Sequence, residues 1–157
     1  MQFTRTLAIA GLAAIAGLAA IAAIPLSPAN AAGAKKDHHI AFQVSGGDAP
    51  TMNLTLNNIV NVAKEYSASG DSVEIEVVAY GPGLAMLRED KSPVRDRLKS
   101  IKASIPDVTF SACGNTIANA EKAEGKKIEI VPQAHVVKAG VLRLTELQEK
   151  GWTYIKP

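Results

Sequence analysis

The chain has 157 residues, with 17 basic and 15 acidic side chains, a formal net charge of +2 and a single cysteine. So even a charge balance gives no support for a nucleic-acid partner, and one cysteine excludes an internal disulfide. The length suits one domain preceded by a leader.

Residues 1–31 have the three parts of a secretory signal. Arg5 supplies the positive start, Leu7 to Ile24 is an uncharged run rich in Ala, and Ala29-Asn30-Ala31 offers a cleavage site. A membrane anchor is the rival reading, but Ala and Gly insert weakly and a cleavage motif follows. No twin-Arg pair precedes the run, so the general secretory route and a periplasmic destination are expected. No cysteine lies near the cleavage site, which excludes a lipid-anchored terminus, and no stable membrane anchor is expected after cleavage. Residues 32–38 then form a short polar leader, and 39–157 a single domain.

Within that domain, His39 to Ser45 reads as a strand stopped by Gly46-Gly47-Asp48. Pro50 opens a helix whose apolar face is Met52, Leu56, Ile59, Val60 and Ala63, closed at Gly70-Asp71. Ser72 to Tyr80 is a second strand, ending at Gly81-Pro82-Gly83 and followed by a short helix, Leu84 to Glu89. Ser92-Pro93 reads as the cap and first residue of another helix, with Val94, Leu98, Ile101 and Ile105 buried. Val108 to Ala112 is the third strand, Thr116 to Glu124 a helix closed by Gly125, and Lys127 to Val131 a fourth strand. Val137, Val141, Leu144 and Leu147 mark a last helix before Gly151, and Trp152 to Lys156 a closing strand. Strands alternating with helices across short loops predict a three-layer α/β/α sandwich around a mainly parallel sheet of about five strands.

That architecture bears on Cys113. In open α/β sheets, ligands gather beyond the carboxyl ends of the strands. Cys113 is expected one residue past the third strand and just before a helix, with Gly114 for the turn and Asn115 or Thr116 as the cap. The free N–H groups of such a helix start favour a thiolate, or a persulfide anion. The bland alternative is a small residue packed in the core. Gly81, Gly83 and Tyr80 would flank the sulfur if the second and third strands are neighbours, although Gly and Pro mark turns more often than sites.

Other motifs have plainer readings. Asn53, Asn57 and Asn61 share one helical stripe, read as a solvated face or a polar subunit interface. His38 and His39 point to opposite sides of a strand, and no C-x-x-C or H-E-x-x-H occurs, so no metal is expected. His135 could serve Cys113 as a base only if the fourth strand ends beside it. Arg95, Lys99 and Lys102 form a solvated basic stripe. No phosphate-binding glycine motif is present, and no cofactor is expected.

Taken together, "FQVS", "LNNIVN", "VVAYGPG", "VTFSACGNT" and "LTELQEKGWTYIKP" resemble the DsrE/DsrF-like family of sulfur-relay proteins, in its small single-domain form. The resemblance spans about His39 to Pro157. It implies a DsrE/F-like domain of the flavodoxin-like topology class and homo-oligomers, trimers or hexamers. It also implies a persulfide-carrying cysteine after the third strand, matched here by Cys113. The relay members work in the cytosol with dedicated partners, whereas this chain has an export signal, so donor and acceptor do not carry over. The expected function is sulfur handling or thiol redox on Cys113. The alternative is a homo-oligomeric binding or scaffold protein with a non-catalytic cysteine.

Overall fold

The computed structural model describes residues 35–157, so the signal-peptide reading lies outside the described residues. Five strands, β1 (Asp37–Val44), β2 (Ser72–Ala79), β3 (Val108–Cys113), β4 (Ala134–Val137) and β5 (Thr153–Ile155), form one parallel sheet in the order β4-β3-β2-β1-β5. The helices between them are α1 (Ala49–Ala68), α2 (Arg95–Ser104), α3 (Gly114–Glu124) and α4 (Gly140–Glu149), with a 3-10 helix at Gly81–Leu87. The α/β class expected from the sequence is therefore present. Strands β1 to β4 follow one another in simple succession, a departure from the 2-1-3-4-5 order of flavodoxin.

This order dictates the layers. Right-handed crossovers that step in one direction from β1 to β4 keep their helices on one face, and the return from β4 to β5 puts α4 on the other. The buried residues agree. On one face Phe42, Val44, Ile75, Val77, Phe110 and Ala112 meet Met52, Leu56 and Ile59 of α1 and Leu98 and Ile101 of α2. On the other, Ala41 and Val78 meet Leu144 and Leu147 of α4.

Local sequence sets most element boundaries. Asp48 caps α1, accepting the Thr51 N–H at 2.8 Å, and Pro50 occupies its first turn as expected. The buried face of α1 is Met52, Thr55, Leu56 and Ile59, while Val60 is exposed, because the helix meets the sheet on a narrower stripe than its apolar sequence suggests. Strand β1 starts at Asp37, inside the segment read as a leader, since its register with Ser72 extends two residues further. Ser92 does not cap α2. It donates to the Met86 carbonyl and accepts from the Val94 N–H, holding the turn before a helix that begins at Arg95.

The largest correction concerns the fourth strand. Lys127 to Val131 is extended but lies outside the sheet, bonded antiparallel to the end of the 3-10 helix through Glu89–Glu129, Leu87–Val131 and an Arg88–Ile130 bridge. Ile128 and Val131 are buried, and Ile130 packs partly buried against the core. The sheet position goes to Ala134–Val137, so Val137 is a strand residue beside Cys113, and Val141 in α4 is exposed. The stripe that α4 buries is Gly140, Leu144 and Leu147.

Candidate functional site

The loop after β3 leads to α3 on one face of the sheet, and the loop after β4 leads to α4 on the other. The crevice between two such diverging loops is the topological switch point, where α/β sheets place their ligands. Cys113 occupies it. The cysteine is the last residue of β3, in register with Val137, and also the N-cap of α3. Cys113 therefore ends the strand rather than following it, and α3 starts at Gly114, two residues before its expected start. Asn115 and Thr116 are not caps; they are second and third residues of the helix, whose N–H groups have no intrahelical partner.

Cys113 meets both helix starts. Gly114 follows it at the start of α3, and Gly140 packs on it from the start of α4. The Thr116 hydroxyl and the N–H groups of Gly140, Thr116 and Asn115 are near enough to favour the thiolate, although Cys113 makes no side-chain cap bond to α3. Burial alone pushes the thiol pKa up, and only 5% of the residue is exposed. The four donors outweigh that effect and hold the pKa below the ordinary thiol value, with the Thr116 hydroxyl contributing most. Thr116 also accepts the Gly81 N–H at 3.0 Å, which ties the loop after β2 to the cysteine loop.

Of the residues expected around the sulfur, Gly114 is needed for space, because a side chain there would press on the Val137 and Lys138 carbonyls. The Asn115 side chain is exposed, and its contribution is its backbone N–H. Tyr80 packs half-buried beside Ala41, Val78, Leu144 and Leu147, with its ring against Gly140. Gly81 has a φ of +55°, a left-handed conformation that suits glycine, and reaches the site through Thr116. Gly83 does not line the site. A side chain there would run into the Val44 carbonyl, so Gly83 serves the close approach of the 3-10 helix to β1.

Sequence reasoning missed Gly140. A Cβ on it would lie 3.0 Å from that of Tyr80 and 3.3 Å from that of Cys113, so glycine lets the start of α4 settle closely on the cysteine. It also missed a buried polar cluster on the same face of the sheet. Glu76, 2% exposed, accepts two bonds from Arg143 of α4, Nε at 2.8 Å and Nη2 at 2.7 Å, and one from the Ser111 hydroxyl at 2.6 Å. Burial raises the Glu76 pKa, but Arg143 and Ser111 more than offset this and leave it lowered. The signal was a carboxylate inside the apolar run "SVEIEVV". His135 belongs to this cluster, with Nε2 3.2 Å from Ser111 Oγ, two register positions below Cys113; it bonds Ser111 and not the sulfur.

The remaining motifs have structural roles. Asn53 and Asn57 accept from Arg97, at 2.5 and 2.8 Å, so two of the three stripe residues clip α1 to α2. His38 stacks on Tyr66 and meets Asp71, while His39 lies beside Trp152 and Glu74, on opposite faces of β1. In the basic stripe, Arg95 pairs with Glu89, and Lys102 donates to the Pro106 and Val108 carbonyls. Among the described residues, no group of three His, Cys, Asp or Glu could hold a metal, and no helix is long and apolar enough to cross a membrane. A cavity of about 730 Å³ lies at the opposite end of the sheet, between α1 and α2, and does not include Cys113.

No family model matches this chain, and no curated protein does. Among solved structures, a protein of unknown function from Methanobacterium thermoautotrophicum is similar, with a TM-score of 0.66 and 30% identity. The match covers 77% of this chain and all of the archaeal one. The chain belongs to the same family as that archaeal protein. The likeness establishes the fold common to both.

Proposed function

We propose that this protein handles sulfur by carrying it as a persulfide on Cys113, within the DsrE/DsrF-like group that its sequence resembles. One observation carries the reading: Cys113, at the end of β3, is flanked by the start of α3 and, through Gly140, by the start of α4, whose groups hold its pKa below the ordinary thiol value despite its burial. A thiolate attacks the sulfane sulfur of a donor persulfide, forming a new S–S bond as the donor's S–S bond breaks and its thiolate leaves. The donors around Cys113 would stabilise the resulting persulfide anion as they do the thiolate. An acceptor thiolate then attacks the outer sulfur and regenerates the Cys113 thiolate, with no net oxidation in either step. With no second cysteine in the chain, the sulfur passes to a partner or a small thiol. Export to the periplasm and assembly into homo-oligomers complete the reading.

The 5% exposure of Cys113 favours a second reading, a homo-oligomeric binding or scaffold protein with an inert cysteine. Intact mass separates the two. Treatment of the mature protein with polysulfide or thiosulfate should add one sulfur, removable by reductant, and Cys113→Ser should add none. A thiol left unmodified under both treatments would sink the carrier reading.

A further inference from the structure

The first turn of α4 packs on Cys113 through Gly140 and has no side-chain cap. Its N-cap is Ala139, which has no side chain to bond the first turn. Its apolar contacts are Gly140 on Tyr80 and Cys113, and Leu144 and Leu147 on Ala41 and Val78. The one strong tie near its start is Arg143, which is bound in two ways. Its own N–H closes the first turn on the Ala139 carbonyl at 3.0 Å. Its guanidinium grips Glu76 through two parallel bonds, a fork geometry that fixes direction as well as distance.

We propose that the Glu76–Arg143 pair is a positioning clamp: it seats the first turn of α4 on the sheet and so sets how Gly140 packs on Cys113. The inference rests on reading Cys113 as the sulfur carrier. Three features support it. Glu76 is almost wholly buried on the central strand β2, so its position is set by the sheet and not by solvent. Ser111, two residues before Cys113 on the same face of β3, donates to Glu76 Oε1, so one carboxylate locates both the strand that ends in the cysteine and the helix that faces it. Gly140 sits so close to Cys113 and Tyr80 that a small shift of the helix changes its packing on the cysteine. The other charged or titratable groups of the cluster are His135, on Ser111 from β4, and Glu146, on Arg143 from α4. Neither lies between Arg143 and Glu76. Arg143 and Glu76 are thus positioning residues that act through Gly140.

The test is the pH profile of Cys113 in the full mature protein, by thiolate absorbance and by the rate of iodoacetamide alkylation. Folding is checked by circular dichroism. In Arg143→Met and in Glu76→Gln the alkylation rate below the ordinary thiol pKa should fall about tenfold, as for a pKa raised by one unit. The high-pH plateau should not change. Arg143→Lys, which keeps the charge but loses the fork, should restore part of the loss. Should a single variant fail to fold, the double variant Glu76→Leu/Arg143→Met removes both charges together and strands no buried carboxylate. Folded variants with the wild-type profile would overturn the clamp and leave the carrier reading intact. A wild-type Cys113 that titrates like a free thiol would overturn both.

Discussion

The two faces of the sheet are built by different means. The face under α1 and α2 is apolar and closely filled, with Phe42, Phe110, Met52, Leu56 and Ile59 fully buried. The face under α4 has a small apolar patch and, beside it, a buried carboxylate, a serine and an arginine. Apolar packing is strong but tolerant of direction, whereas a forked ion pair adds little net stability and specifies geometry. The first face therefore makes the domain stable, and the second fixes where α4 begins. Cys113 lies at the end of the strand they share.

Substitutions can break or sharpen that contrast. The largest loss is expected from Phe110→Ala, about 3–5 kcal/mol in denaturant unfolding, because it opens a cavity in the filled face. In any folded fraction it should leave the thiol pKa of Cys113 unchanged. On the other face, Arg143→Met should cost about 3 kcal/mol, mostly from leaving Glu76 buried without its partner. Replacing Glu76 and Arg143 together by apolar residues should recover much of that loss. A double variant no more stable than Arg143→Met would mean that the clamp face does not differ from the filled one in this respect.

The next effect is chemical. Because the Cys113 pKa is lowered in the folded state, the stability linked to its ionisation is fully present above the ordinary thiol value. It fades as pH falls through the lowered value, and Cys113→Ser should remove this part of the pH dependence. Thr116→Val deletes the leading donor and should slow alkylation below the ordinary thiol pKa by about tenfold. If it changes nothing, the backbone N–H groups alone set the thiolate.

Arg88 offers a control away from both. This buried guanidinium binds Glu124 and Asp90 and holds both carboxyls below their usual range, Glu124 down to about 2. For a lowered carboxyl the linked stability is present above the ordinary value of 4.5 and is lost towards the folded one. Acid titration of wild type should therefore show a stability loss between these limits that Arg88→Met flattens. The smallest effect is expected from Asn57→Ala, within about 0.5 kcal/mol, since its bond to Arg97 is exposed.

Much of this was legible in the sequence, for reasons that can be named. Strands β1, β2 and β3 each bury a run of consecutive residues, most of them apolar, and these runs marked them. Asp48 and Pro50 announced α1, and Gly125, at a φ of +64°, marked the end of α3. The fourth strand was misplaced because Lys127 to Val131 alternates like a strand, and which extended segment joins the sheet depends on its neighbours. Cys113, Gly114, Thr116 and Gly81 could be picked out because a strand end followed by a helix start is a local pattern. Glu76 and Arg143 lie 67 residues apart, and Gly140 falls inside the helix expected from Val137 to Leu147; no local pattern joins them to the cysteine.

By itself the sequence determined the class of fold and the place of the cysteine at the end of a strand, because periodicity and helix caps act over a few residues. The tertiary structure alone decided that the starts of two helices flank that cysteine and that a buried ion pair ties α4 to β2. Those contacts follow from the reversal of strand order between β4 and β5, which brings α4 back across the opposite face of the sheet.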